Sequence, residues 1–131
     1  MSRTPPHPPL LLTLRPIGVI RTPYTERFGT PRQPGAEGSH AEGVIRLHPG
    51  ANYEQALEDL RGFERIWIIS WFHRNEGWKP KVLPPRSTTK KGVFATRSPH
   101  RPNPIGLSLC RLLSIKGRTI RVEDPDLLDG T

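Results

Sequence analysis

At 131 residues the chain has room for one domain with a buried core, and its sixteen prolines and twelve glycines interrupt long periodic segments, which disfavours a helical bundle and favours short strands. A formal charge of +8 and an isoelectric point of about 10.6 point to a polyanionic partner, because each phosphate that a cation neutralises releases counterions. The single cysteine, Cys110, excludes an intrachain disulfide framework and a thiolate zinc cluster, and fits a reducing, cytoplasmic setting.

Met1 to Pro9 carries four prolines and almost nothing apolar, so residues 1–15 read as a mobile Pro-rich tail ahead of a domain over 16–131. Leu10-Leu11-Leu12 is far too short to span a bilayer and lacks the marks of a signal peptide, so no membrane partner is expected. Ile17 to Arg21 reads as the first strand, stopped where Thr22-Pro23 must leave a ladder. The loop from Thr22 to Gly35 mixes prolines with Tyr24, Arg27, Arg32 and Gln33, and is either a connection or part of a site. Gly43 to His48 gives a second strand, with Val44, Arg46 and His48 on one face and Ile45 and Leu47 on the other. Asn52 is expected to cap a short helix over Tyr53 to Leu60, with Glu54 in its first turn and Arg61-Gly62 at its stop.

Arg65 to His73 is the apolar centre of the sequence. Ile66, Ile68, Ser70 and Phe72 face one way and Trp67, Ile69, Trp71 and His73 the other, so the strand is expected to be covered on both sides. His73 carries the tryptophan face to its rim, either against a ligand or as a core-edge histidine. Lys79, Lys81, Arg86, Lys90 and Lys91 then form a cationic run. Gly92 to Thr96 reads as a strand with Val93, Ala95 and Arg97 on one face. It feeds Arg97-Ser98-Pro99-His100-Arg101-Pro102-Asn103-Pro104, whose prolines stiffen a loop bearing two guanidiniums, an imidazole, a carboxamide and a hydroxyl. The loop is either a surface crossover with its charges in water or a site, for which such a donor set suits an anionic or nucleotide ligand and Asn103 an adenine edge. Gly106 to Ile115 and Arg118 to Glu123 are strands joined at Lys116-Gly117. About six strands and one short helix predict a mostly β fold, a small single-sheet β-barrel. There is no G-x-G-x-x-G, no phosphate-loop lysine after Gly43 and no HExxH among the five histidines, so no metal is predicted.

The stretch ATRSPHRPNPIGLS, Ala95 to Ser108, resembles the signature of the TrmO/TsaA-like family, S-adenosylmethionine-dependent enzymes that methylate N6 of threonylcarbamoyladenosine at tRNA position 37. IGVIRTPYTERFGTPRQPG (Ile17 to Gly35), GFERIWIISWFH (Gly62 to His73) and DLLDGT (Asp126 to Thr131) match that family in the same order, so the likeness covers nearly everything after Arg15. It implies a TsaA-like β-barrel that pairs as a homodimer, with the site near the interface. S-adenosyl-L-methionine is then the cofactor, at Pro31, Arg32, Gln33, His73, Arg74, Arg97, Leu107, Asp126, Leu127, Leu128 and Asp129. Arg74 stands where many members carry a glutamine. The implied partner is tRNA through its anticodon loop, with Arg101, Lys79, Lys81, Lys90 and Lys91 as RNA-binding candidates and Asn103 and Asp129 as catalytic candidates. Relatives continue past DGT, so either the chain is truncated after Thr131 or this member is minimal. Two other classes stay open: a cofactor- or RNA-binding module without catalysis, and a methyltransferase of small molecules, which the charge disfavours.

Overall fold

The computed structural model describes residues 10–24, 41–73, 77–84, 86–125, 127, 130 and 131. Its elements in chain order are β1 (Gly18–Arg21), β2 (Glu42–Leu47), the helix α1 (Tyr53–Ala56), β3 (Arg65–Trp71), β4 (Lys81–Val82), β5 (Lys91–Gly92), β6 (Ile105–Lys116) and β7 (Thr119–Glu123). Five strands form one antiparallel, curled sheet in the order β1-β2-β7-β6-β3, while β4 and β5 pair separately. The mostly β reading with one short helix holds. The sheet, however, is a half-barrel whose closure is incomplete, and the short β4–β5 ribbon stands apart from it.

Period-two alternation sorts the sheet into two faces. Inward lie Ile20, Leu47, Cys110, Ile115, Ile120 and Val122, with Leu127, and packed on them are Ile45, Ile66, Ile68, Phe72 and Leu112 and the helical-segment residues Tyr53, Leu57 and Leu60. The helical segment thus plugs the hollow of the sheet. It is shorter than predicted: α1 ends at Ala56 and a 3-10 turn over Leu60–Gly62 follows. Asn52 does not cap it in the expected way. Its backbone is left-handed at φ 57°, it makes no side-chain cap hydrogen bond, and its amide donates instead to Gln55 Oε1 at 2.7 Å.

The outward face divides in two. Towards β1 it carries Arg21, Arg46 and Arg121, with Arg121 paired to Glu42 at 3.4 Å. Towards β3 it opens on Arg65 opposite Arg111, the latter paired to Glu64 at 3.3 Å, and is apolar beyond them, because the register places Trp67 opposite Leu109, Ile69 opposite Leu107 and Trp71 opposite Ile105. The expectation that β3 is covered on both sides fails within a single chain: Trp67 is 64%, Ile69 73% and Trp71 59% exposed. Alternation identified both faces correctly but carries no information on what covers the outer one.

Two local devices fix the strand register. Between Leu112 and Ser114 one residue is extra relative to β7, where Leu112 pairs Val122 and Ser114 pairs Arg121. Without that bulge Ile115 would turn outwards; with it, Ile115 is buried. At the hairpin, Gly117 takes φ 60° between the paired Lys116 and Thr119, the positive first position that a two-residue hairpin turn requires.

Candidate functional site

The loop after β5 is built by hydroxyls that capture neighbouring backbone. Gly92 to Thr96 is not the predicted strand. Only Lys91–Gly92 pairs, and Val93–Ala95 forms a 3-10 turn, so Val93, Ala95 and Arg97 do not share a strand face. The physical reason is Thr96, whose N–H and Oγ1 both donate to Val93 O, at 3.1 and 2.8 Å, and close the turn locally. Ser98 N–H then donates to Thr96 Oγ1 at 3.1 Å, and His100 N–H to Ser98 Oγ at 3.2 Å. Two successive hydroxyl-to-backbone turns thus add local hydrogen bonds to the constraint that the prolines impose on the loop.

Arg97 leaves this loop towards β6. Its Nη2 donates to Leu107 O at 3.2 Å and to Ser108 Oγ at 3.3 Å, which joins two of the predicted cofactor residues directly. Arg97 and Leu107 are both exposed, whereas Ser108 is buried. Arg101 folds back on its own loop, with Nη1 donating to Thr96 O at 2.8 Å and Ser98 O at 3.4 Å. Asn103 is exposed, and its carbonyl accepts from Ile105 N–H at 2.7 Å. The loop returns to the sheet at the end of β3, where Phe72 N–H donates to Pro104 O at 2.8 Å. His73, the next residue, therefore stands beside the far end of the same loop. Its Nε2 lies 4.0 Å from the position a Cβ on Gly130 would take.

Leu127, Gly130 and Thr131 meet the sheet at β1. Thr22 Oγ1 donates to Leu127 O at 2.8 Å, Gly130 N–H to Ile20 O at 2.8 Å, and Ile20 N–H to Thr131 O at 2.9 Å. Leu127 itself is a core side chain, so any part it takes in the site belongs to its backbone. Lys79, Lys81, Lys90 and Lys91 are all exposed on or beside the β4–β5 ribbon, which Lys79 N–H ties to His100 O at 2.9 Å. Pro31, Arg32, Gln33, Arg74, Asp126, Leu128 and Asp129 lie outside the described residues. Among the described residues, no group of histidine, cysteine or carboxylate side chains could hold a metal ion, and no helix is long and apolar enough to cross a membrane.

Sequence reasoning passed over Thr96, Ser98 as a backbone acceptor, and Gly130. The hydroxyls at a spacing of two were a readable signal for consecutive turns. Gly130 offered none, since its closeness to His73 comes only from the tertiary fold. Among the described residues, the buried oxygens Ser70 Oγ, beneath Gly106, and Asp124 Oδ1 have no hydrogen-bond partner.

A curled antiparallel sheet that carries a guanidinium-bearing loop, an imidazole and a glycine turn defines a small, mostly β domain. Residues 19–131 match the family model of the tRNA-methyltransferase O N-terminal domain, and the chain belongs to that family. It is 44% identical over 123 residues to a tRNA (adenine(37)-N6)-methyltransferase of Escherichia coli, a match covering 88% of this chain and 52% of that protein. It is 37% identical over 120 residues to a probable S-adenosyl-L-methionine-binding protein of Methanothermobacter thermautotrophicus, covering 92% of this chain and 84% of that one. The crystal structure of TrmO from Pseudomonas aeruginosa superposes with a TM-score of 0.72 at 35% identity, over 92% of this chain and 52% of that chain. The chain thus spans about half the length of the enzyme from E. coli and of the crystallised TrmO.

Proposed function

We propose that this chain is an S-adenosyl-L-methionine-dependent methyltransferase that acts on N6 of adenine 37 in tRNA, and that its substrate is the threonylcarbamoylated base. The observation that carries the reading is the family match over residues 19–131, shared with relatives whose names specify that activity and that cofactor. The polar groups fit the cofactor: an exposed guanidinium at Arg97, hydrogen-bonded to the Leu107 carbonyl, suits a carboxylate, and the imidazole of His73 and the remaining lone pair of the Leu127 carbonyl suit ammonium and hydroxyl groups. Pro31, Arg32, Gln33, Arg74, Asp126, Leu128 and Asp129 complete the proposed cofactor site, within a domain of residues 16–131.

S-adenosyl-L-methionine supplies an electrophilic methyl group when bound. The protein's part is then alignment and charge, since N6 of the carbamoylated base is a poor nucleophile. Asn103 holds the adenine edge, and Asp129 takes the proton that N6 loses. Arg101, Lys79, Lys81, Lys90 and Lys91 grip the anticodon loop.

The functional unit is a cytoplasmic homodimer in which a second copy covers Trp67, Ile69, Trp71, Ile105, Leu107 and Leu109. These six side chains leave bare an area on the order of 600 Å², at the top of the range for the largest apolar patch on a monomer. The test is a methylation assay on threonylcarbamoylated and unmodified tRNA with mass spectrometry of the nucleosides, alongside calorimetric titration with the cofactor. Methyl groups on N6 of the carbamoylated base only are expected. Methylation of neither RNA would sink the activity, and cofactor binding in that case would mark a binding module.

A further inference from the structure

Phe94 is 76% exposed at the crest of the turn Val93–Ala95, although its neighbour Val93 is 2% exposed. The turn cannot relax to hide the ring. Val93 N–H donates to Pro80 O at 2.9 Å, and Thr96 closes on Val93 O through both its N–H and its hydroxyl. One face of the ring carries the guanidinium of Arg101, 6.0 Å from the centroid, and Arg101 is itself fixed to Thr96 O and Ser98 O. Trp78, also exposed, precedes Lys79, the residue that ties the β4–β5 ribbon to the loop. From Gly77 to Val122 there is no Asp or Glu, whereas Lys79, Lys81, Arg86, Lys90 and Lys91 crowd the ribbon.

Two exposed aromatic rings among exposed cations differ from the Trp67 face, whose charges are confined to the Arg65–Arg111 end. That pairing matches the two parts of an unpaired nucleotide: a π face that stacks and a phosphate that needs a cation. We propose that Phe94 and Trp78 form a stacking platform for unpaired bases of an RNA loop, with Lys79, Lys81, Lys90 and Lys91 on the adjacent phosphates. Phe94 lies between a base and Arg101, so the same guanidinium that stiffens the loop supports the ring from behind. The platform rests on the RNA-acting function proposed above and adds where and how the single strand is held. It requires unpaired bases, because a duplex hides the faces that the rings would cover.

The experiment measures binding of an RNA hairpin with an open loop, and of a blunt duplex of equal length, to the wild-type chain and to Phe94→Ala, Phe94→Leu and Phe94→Tyr. Phe94→Ala and Phe94→Leu should weaken hairpin binding by roughly 5- to 150-fold, the range seen for loss of one stacked base. Phe94→Tyr should bind as wild type, duplex affinity should be unchanged in all, and cofactor titration should be unaffected. Trp78→Ala should show the same preference for the hairpin in its loss. Equal hairpin affinity in wild type and Phe94→Ala overturns the platform and leaves the function standing. A wild-type chain that binds neither RNA overturns both. Loss of self-association in Phe94→Ala would show the ring to be an interface residue and overturn the platform alone.

Discussion

Ile69→Arg tests whether a second copy covers the outer face of β3. Ile69 sits between Trp67 and Trp71 and opposite Leu107, and is 73% exposed in one chain. Full burial of an isoleucine is worth about 1.5–3 kcal/mol, so covering the exposed part yields about 1–2 kcal/mol for each copy. A two-fold interface uses the residue twice, which doubles the loss to about 2–4 kcal/mol. A guanidinium forced into the seam without a partner adds a further desolvation cost of the order of several kcal/mol. Self-association should therefore weaken at least about a hundredfold, readable by sedimentation velocity across a dilution series. The circular dichroism spectrum should not change, because the side chain touches solvent in the single chain. A variant that remains dimeric at the wild-type concentration, or a wild-type chain that is monomeric throughout the series, would refute the reasoning.

Arg97→Ala removes the bonds to Leu107 O and Ser108 Oγ at an exposed position, so it should cost about 1 kcal/mol in stability. It should nonetheless lower cofactor affinity about tenfold or more by calorimetry and abolish methylation; unchanged binding would place the cofactor elsewhere. Hairpin RNA affinity should fall with salt, with a log–log slope of about −3 if the four ribbon lysines each neutralise one phosphate of a single strand, and a flat response would remove the electrostatic grip. Gly106→Ala would drive a Cβ into the Phe72 ring and to 3.0 Å from Ser70 Oγ, so urea denaturation should show a loss of about 1–3 kcal/mol. No loss would mean that Phe72 swings aside at no cost.

The strands were legible where alternation was strong. Ile66, Ile68 and Phe72 pack inwards and Trp67, Ile69 and Trp71 outwards, as period two required. Val93 to Thr96 misled because a valine, a phenylalanine and a threonine carry strand propensity, while the bond from Thr96 back to Val93 is a local competitor that propensity does not register. The stiffness of the loop was readable from its prolines. Its attachments were not: Arg97 reaches a carbonyl ten residues on, and Lys79 meets His100 across twenty-one residues of sequence, so both depend on how the ribbon settles on β6. Leu127 shows the opposite limit. The family likeness assigned it to the cofactor, whereas its side chain is committed to the core.

The two margins of the sheet are not equivalent. Along β1 the outward N–H and C=O of Ile20 are taken by Thr131 and Gly130, and Thr22 anchors Leu127 close by. Along β3, among the described residues, no further strand is added, and the main chain from Arg65 to Trp71 pairs on the β6 side only. A sheet with one stoppered margin and one open margin can accept added strand at a single place. If two such chains join there, each consumes the other's vacancy, and nothing is left on which a third could grow. In such an edge-joined pair Gly130 and Thr131 would set the limit to growth, since loosening them from Ile20 would leave two open margins on each molecule.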